Sequence, residues 1–219
     1  MKHQKAFTMI ELVMVVVILG ILAALSIPRL ERDLRQEAAD NILSAIRYTQ
    51  HLALLDNKHK FNNPKWQQRF WRIYFGTCNG KTFYAVGSDD SMESAVNARV
   101  DSSEAAIDPS NGKLMWAHDG SSCTSGSLTI NNLSPNVMIG KKYGITVTGG
   151  CAGVRYVAFD HLGRPYGSGF STSTQPDNSG YMTSDCNFTF SSSDNTFDPF
   201  SIIITKETGY AYIDGQPNS

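Results

Sequence analysis

The start of this chain constrains it most: two lysines, then a long apolar run broken by a single carboxylate. Lys2 and Lys5 precede Phe7, and from Leu12 to Ile27 only Ser26 is polar. The 21 residues from Phe7 to Ile27 span roughly 31 Å as a helix, the thickness of a bilayer's hydrocarbon. The flanking lysines place the first six residues in the cytoplasm and the remainder of the chain on the periplasmic side.

Three kinds of segment share this outline: a secretory signal peptide cut near Ala24-Leu25-Ser26, a plain signal anchor, and an anchor cut before its apolar run. Glu11 decides between them. A carboxylate inside a membrane helix costs on the order of 3 kcal/mol on insertion scales, and an export signal gains nothing from one. Glu11 is therefore a functional residue, and the third reading is the one that uses it.

Lys5-Ala6-Phe7-Thr8-Met9-Ile10-Glu11-Leu12 resembles the processing motif of type IV prepilins and type II secretion pseudopilins. The resemblance implies cleavage between Ala6 and Phe7 by a prepilin peptidase and N-methylation of Phe7. It also implies a role for Glu11 in filament assembly, paired with the Phe7 amine of a neighbouring subunit. Pro28 falls where many pilins bend their helix, and a proline there lacks the N–H and clashes with the preceding turn. Ala6 departs from the family, which usually has glycine; alanine is the next smallest residue, so cleavage is expected to survive. A second, shorter resemblance runs through Val157-Ala158-Phe159-Asp160-His161-Leu162-Gly163-Arg164-Pro165, Ser201-Ile202-Ile203-Ile204 and Thr208-Gly209-Tyr210. It is similar to the H-type minor pseudopilins and the FimT/FimU-like minor pilins, in which a strand, a Gly-Arg turn and a final hairpin close the domain.

After Pro28 the pattern turns amphipathic. Leu30, Leu34, Ala38, Ile42, Ala45, Thr49 and Leu52 recur every three or four residues, with Arg32, Arg35, Asp40, Arg47 and Gln50 on the other faces. The helix is expected over 7–55, roughly 70 Å long, with its apolar stripe under a sheet. Asn57 to Pro64 ends it. Beyond, short β runs at 70–75, 82–86, 114–117, 136–139, 143–148, 154–159, 187–190, 200–205 and 210–213 alternate with turn residues. The expected fold is α+β: a long N-terminal helix packed on an antiparallel β-sheet domain. Its divisions are a leader (1–6), a transmembrane or filament-core helix (7–28), its amphipathic continuation (29–57) and a periplasmic β-rich domain (58–219).

Charge and cysteines narrow the chemistry. Residues 29–72 hold nine Lys/Arg against five Asp/Glu, whereas 73–219 hold eight against fourteen. An acidic distal domain is a poor polyanion binder. Some FimT-like relatives take up DNA through a basic C-terminal motif, but here Gly163-Arg164 continues as Pro165-Tyr166, so Arg164 is at most a weak DNA-contact candidate. The four cysteines, Cys78, Cys123, Cys151 and Cys186, form no CxxC and have no zinc-ligand spacing. An even number beyond a membrane anchor predicts two disulfides. Three connectivities are open, and proximity in sequence favours Cys78–Cys123 with Cys151–Cys186.

His118-Asp119 and Asp160-His161 lack a nucleophile motif or metal-ligand spacing and read as polar turn residues, so no enzyme is expected. Asp108-Pro109-Ser110-Asn111-Gly112 and the loop 194–198 are oxygen-rich without the EF-hand pattern; Asx turns explain them. No cofactor or metal is expected. The partners expected are a prepilin peptidase, other pilin or pseudopilin subunits and an inner-membrane assembly platform; nucleic acid is not. The sequence thus points to a structural subunit of a type IV pilus-like filament, residing in the inner membrane and then in a periplasmic pseudopilus or surface pilus. The machine is a type II secretion pseudopilus or, alternatively, a type IV pilus for adhesion, motility or DNA uptake.

Overall fold

The computed structural model describes residues 8–92, 99–172, 174–176 and 178–219, and for 23–33 only the backbone. One helix, α1 (Met9–Leu55), leads into the domain and ends where Asp56 turns extended and returns its N–H to Leu52. It continues through Pro28, and the bend expected there falls on residues whose side chains lie outside the description.

The C-terminal half of α1 carries the core. Ala38, Ile42, Ala45 and Thr49 are all buried, as the stripe predicts, and Ala39, Leu43, Ile46 and Ala53 widen it. These side chains share one apolar core with Ile73, Phe75, Val157, Phe159, Ile202 and Ile213 from the sheets. Small residues at 38, 39, 45 and 53 let strands approach the helix closely, while Ile42 and Ile46 fill the space between.

Two four-stranded antiparallel sheets are present rather than one. The first has the order β2 (Lys81–Gly87), β1 (Trp71–Cys78), β4 (Tyr156–Phe159), β5 (Pro165–Tyr166). The second has the order β3 (Ile145–Gly150), β6 (Cys186–Ser192), β7 (Phe200–Ile204), β8 (Ala211–Ile213). Helix α1 touches β1, β2 and β4 of the first and β7 and β8 of the second, so it braces both.

Two expected strands are absent. Residues 136–139 instead form a 3-10 turn running into the short helix α2 (Ile139–Lys142). Ser134 caps that turn, its hydroxyl accepting from the Asn136 N–H at 3.2 Å, and Pro135 sits at the first helical position. Ser-Pro is a helix-start signal that overrides the β-propensity of Val137 and Ile139. Residues 114–117 pair only through single bridges, Leu114 with Ile107 and with Leu133. β5 is a strand the sequence reading lacks, because two residues are too few to show alternation.

The cysteines join as Cys78–Cys123 and Cys151–Cys186, with Cα separations of 5.3 and 4.6 Å. The first ties the end of β1 to the loop around Gly120. The second locks β3 to β6 beside the Gly150–Asn187 pair.

Candidate assembly site

The N-terminal half of α1 stands clear of the domain. Every large apolar side chain from Met9 to Leu22 is between 48 and 85% exposed. Because consecutive residues 12–19 cover all faces of the helix, no orientation against a single flat surface could bury them. A helix apolar all round belongs in a membrane or a helix bundle. Among the described residues, no helix is long and apolar enough to cross a membrane; the segment 7–28 expected to do so includes residues outside the described set.

Within this apolar surface one polar constellation stands out. The Glu11 carboxylate accepts hydrogen bonds from the Thr8 N–H and hydroxyl, both at 3.0 Å, and the Thr8 hydroxyl accepts from the Glu11 N–H at 3.3 Å. This capping box satisfies two of the otherwise unpaired donors at the helix start and puts a negative group at the positive end of the dipole. The Thr8-x-x-Glu11 spacing was a readable signal for it. In the lone subunit Glu11 is thus held by its own chain. Ala6 and Phe7, the expected cleavage pair, lie outside the described residues.

At the far end of α1, polar residues of the helix fasten the C-terminal elements. The Gln50 amide donates to the carbonyls of Gly163 and Thr208, both at 2.9 Å. Arg47 donates to the Ala211 carbonyl at 2.7 and 3.2 Å and also to that of Ser219. Arg35 reaches the Asp198 carbonyl at 3.1 Å. The Gly-Arg turn and the Thr-Gly-Tyr hairpin, separate in sequence, therefore meet on Gln50, a clamp that periodicity alone places on an unassigned polar face.

Arg164 is held in an ion pair, with its side chain still partly exposed. Its Nε and Nη2 both lie 2.7 Å from the Asp160 carboxylate, which is itself almost fully buried, and its ring-side face lies over Tyr181. The hydrogen bonds of Asp160 raise the Arg164 pKa still further. Asp160 also accepts the N–H groups of Leu162 and Arg164, each at 2.9 Å, which shapes the turn. Asp119 accepts the Thr77 N–H at 2.9 Å and pairs with Arg99 at 2.5 Å. Both acid–histidine pairs thus lie in loops, where their carboxylates serve structure.

The oxygen-rich loops behave as turns. Asp108 accepts from Ser110, Asn111, Ser134 and Asn136, and Asp194 accepts from Ser192 and Thr196, whose hydroxyls bring its pKa down to about 2. Among the described residues no group of three or more His, Cys, Asp or Glu could hold a metal ion. Trp66, Phe70 and Trp71 gather beside the helix end, with Trp71 donating its indole N–H to Asp56 at 3.0 Å.

Compared with family models, residues 1–27 match the prokaryotic N-terminal methylation motif. No curated protein and no solved structure matches the chain. This motif, on an α+β domain with an exposed apolar helix, supports a type IV pilin-like subunit. The motif implies processing by a prepilin peptidase, membrane anchoring and assembly with other pilin subunits.

Proposed function

We propose that this subunit is cut between Ala6 and Phe7, N-methylated at Phe7, held in the inner membrane by 7–28, and then extracted into a filament. One observation carries the reading: residues 9–22 expose apolar side chains on every face around a single carboxylate. Lipid or a bundle of like helices covers such a surface; only in a bundle does the carboxylate meet a cation. The methylated amine of Phe7 on a neighbouring subunit supplies one, and Glu11 exchanges its Thr8 contacts for it. A buried carboxylate left unpaired is heavily penalised, so the pair fixes axial register.

Among filament machines, a type II secretion pseudopilus is the reading adopted, with this chain as a minor subunit. The closing turn and hairpin, Gly163-Arg164 and Thr208-Gly209-Tyr210, support the minor subgroup. The ion pair that occupies Arg164 argues against a DNA-uptake pilus, since non-specific DNA binding draws on several free cations.

Intact mass and N-terminal sequencing of membrane-purified protein test the processing step. A mature chain beginning with methylated Phe7 is expected; a start near Ile27 would mean an ordinary signal peptide and end this reading. Co-purification with the subunits and platform of a secretion system, rather than with a retractile pilus, tests the machine.

A further inference from the structure

We infer that the cavity where β1 and β4 part is a binding site for a small hydroxylated acid, a ligand of the acidic-sugar class carrying one carboxylate. The two strands pair as far as Tyr74 and Tyr156, with one further bond from the Phe75 N–H to the Arg155 carbonyl at 2.9 Å. Beyond it β1 runs on alone to Cys78, and a cavity of about 540 Å³ opens beside it, within the range of small-ligand sites. Phe75 turns inward onto Phe188 and Phe190, so Tyr74 and Gly76 face the other side of the sheet. Tyr74 and Tyr156 line the cavity, together with Arg99, Asp119 and Arg155.

Gly76 makes room for the charged groups. A Cβ there would strike the Asp119 carboxylate and the Phe83 ring. Without one, Asp119 lies over the strand, where one oxygen accepts the Thr77 N–H at 2.9 Å and the other holds Arg99 at 2.5 Å. Arg155 is exposed and, among the described residues, makes no ion pair. Two guanidiniums against one carboxylate leave one positive charge and several unused N–H donors. Tyr74 adds another donor. It is only 4% exposed, yet its hydroxyl donates no hydrogen bond to any described residue. Burial, and after it the charge of Asp119, raise its pKa and keep the phenol protonated. Asp101, the other carboxylate felt by Tyr74, caps its own turn and is not part of the lining.

This inventory selects the ligand. Donors without an open acceptor call for an anion, and guanidiniums bind carboxylates through paired N–H groups. A single net positive charge matches a monoanion; a phosphate dianion would be repelled by Asp119. Around the charges the lining is Thr77 and the bare backbone of Gly120 and Gly153, which ligand hydroxyls can meet and an apolar body cannot use. A peptide strand is the poorer occupant, because the main chain of β1 is already engaged here. The Thr77 N–H is taken by Asp119, and the Thr77 carbonyl accepts the Gly120 N–H at 3.0 Å, so an added strand has nothing to pair with.

Calorimetric titration of the full chain in detergent micelles with D-glucuronate tests this. Saturable binding to one site is expected. Glucose lacks the carboxylate, acetate lacks the hydroxylated body and glucose 6-phosphate is a dianion, so each should bind weaker by about tenfold or more. Arg155→Ala should weaken glucuronate binding about tenfold, and Arg155→Lys by less, since lysine keeps the charge and loses the fork. Tyr74→Phe should cost about threefold. Lys141→Ala, outside the cavity, removes the same charge and should leave the affinity unchanged, and thermal melts confirm that every variant is folded. No saturable glucuronate binding would overturn the proposal, as would equal binding of glucose, acetate or the sugar phosphate. Wild-type affinity in Arg155→Ala, or the same loss in Lys141→Ala, would also overturn it, because recognition would then not lie in this cavity.

Discussion

The carbonyl oxygen of Gly163 occupies the space that a side chain at Gly209 would need. A Cβ at 209 would run into that oxygen and lie 2.6 Å from the Gln50 amide nitrogen. Both glycines also have positive φ, 80° and 67°, so the turn and the hairpin meet through backbone that only glycine can supply.

Gly209→Ala should therefore destabilise the protein by about 2–4 kcal/mol, from left-handed strain together with overpacking and loosened Gln50 contacts. Gly80→Ala is the control. Its φ of 70° is almost the same, but nothing lies within 4 Å of the added carbon, so about 1 kcal/mol is expected. Denaturant unfolding of the two variants measures the difference. Equal losses would mean that the close approach at 209 contributes nothing beyond backbone conformation.

Removing either disulfide should cost about 4 kcal/mol by loop entropy, because the sequence separations of 45 and 35 are too similar to distinguish them. Burial does distinguish them. Cys78, Cys151 and Cys186 are fully buried, whereas Cys123 is only partly so. Graded reduction followed by alkylation should label Cys78 and Cys123 first. Simultaneous labelling of all four would show that global unfolding controls access.

Much of this architecture was legible because it rests on long-period signals. The apolar stripe from Leu34 to Leu52 and the stop from Asn57 to Pro64 specify α1; alternation specifies β6 and β7, and short runs rich in aromatic and β-branched residues between turn residues specify β1 and β2. Segments set by single contacts were not legible. Residues 136–139 are rich in β-forming side chains, yet Ser134, Pro135 and the fit of Gly140 against the Thr82 backbone turn them into helix. Gln50 looks like any polar helix residue until the fold brings two carbonyls to it. Thr8-x-x-Glu11 was readable as a cap, and the membrane argument about Glu11 alone did not call on it.

Arg72 should behave as one half of a buried couple. Its side chain is fully buried, donates to the Phe70 carbonyl at 3.1 Å and to that of Gln68, and lies 4.0 Å from the equally buried Asp89 carboxylate. Burial lowers its pKa to about 10, with Asp89 opposing that shift. Arg72→Met should cost about 3–5 kcal/mol by leaving Asp89 without its nearest cation. Adding Asp89→Asn should restore part of that loss. A double variant as unstable as the sum of the singles would show that the two do not interact.

Acid should loosen the loop built on Asp108. Burial raises the pKa of this carboxyl, but hydrogen bonds from Ser110, Ser134 and Asn136 together outweigh it and hold the group below its ordinary range. A depressed folded value means that the linked stability is complete above about pH 4 and is lost as pH falls through the lower folded pKa. Melting temperatures between pH 7 and 3 should fall less steeply in Asp108→Asn than in wild type, although the variant starts lower. Parallel slopes would remove Asp108 from the acid response.

Substitutions at Glu11 can separate capping from register. Glu11→Leu removes an insertion cost of about 3 kcal/mol but also loses the cap on Thr8, which is worth about 1 kcal/mol, so membrane insertion should be at least as good as in wild type. In the filament, the amine of a neighbouring Phe7 would be left charged among apolar helices, at a cost of about 3–5 kcal/mol. Glu11→Leu should therefore be processed, accumulate in the membrane and fail to co-purify with sheared filaments. Glu11→Gln makes the test specific, because glutamine at this position still completes a capping box but carries no charge. If the carboxylate acts by pairing, Gln should fail as Leu does, and Glu11→Asp should retain partial assembly. If Gln assembles like wild type, the residue acts by capping its own helix and the intersubunit pair is wrong. Fractionation of the three tagged variants beside wild type reads all of these outcomes. A subunit at the very tip would tolerate even Leu, since no neighbour above presents an amine to it, so wild-type entry of Glu11→Leu would place this chain at the tip or dismiss the pair. Crosslinking from Val17 decides between those two: a tip subunit should reach partners on one side only.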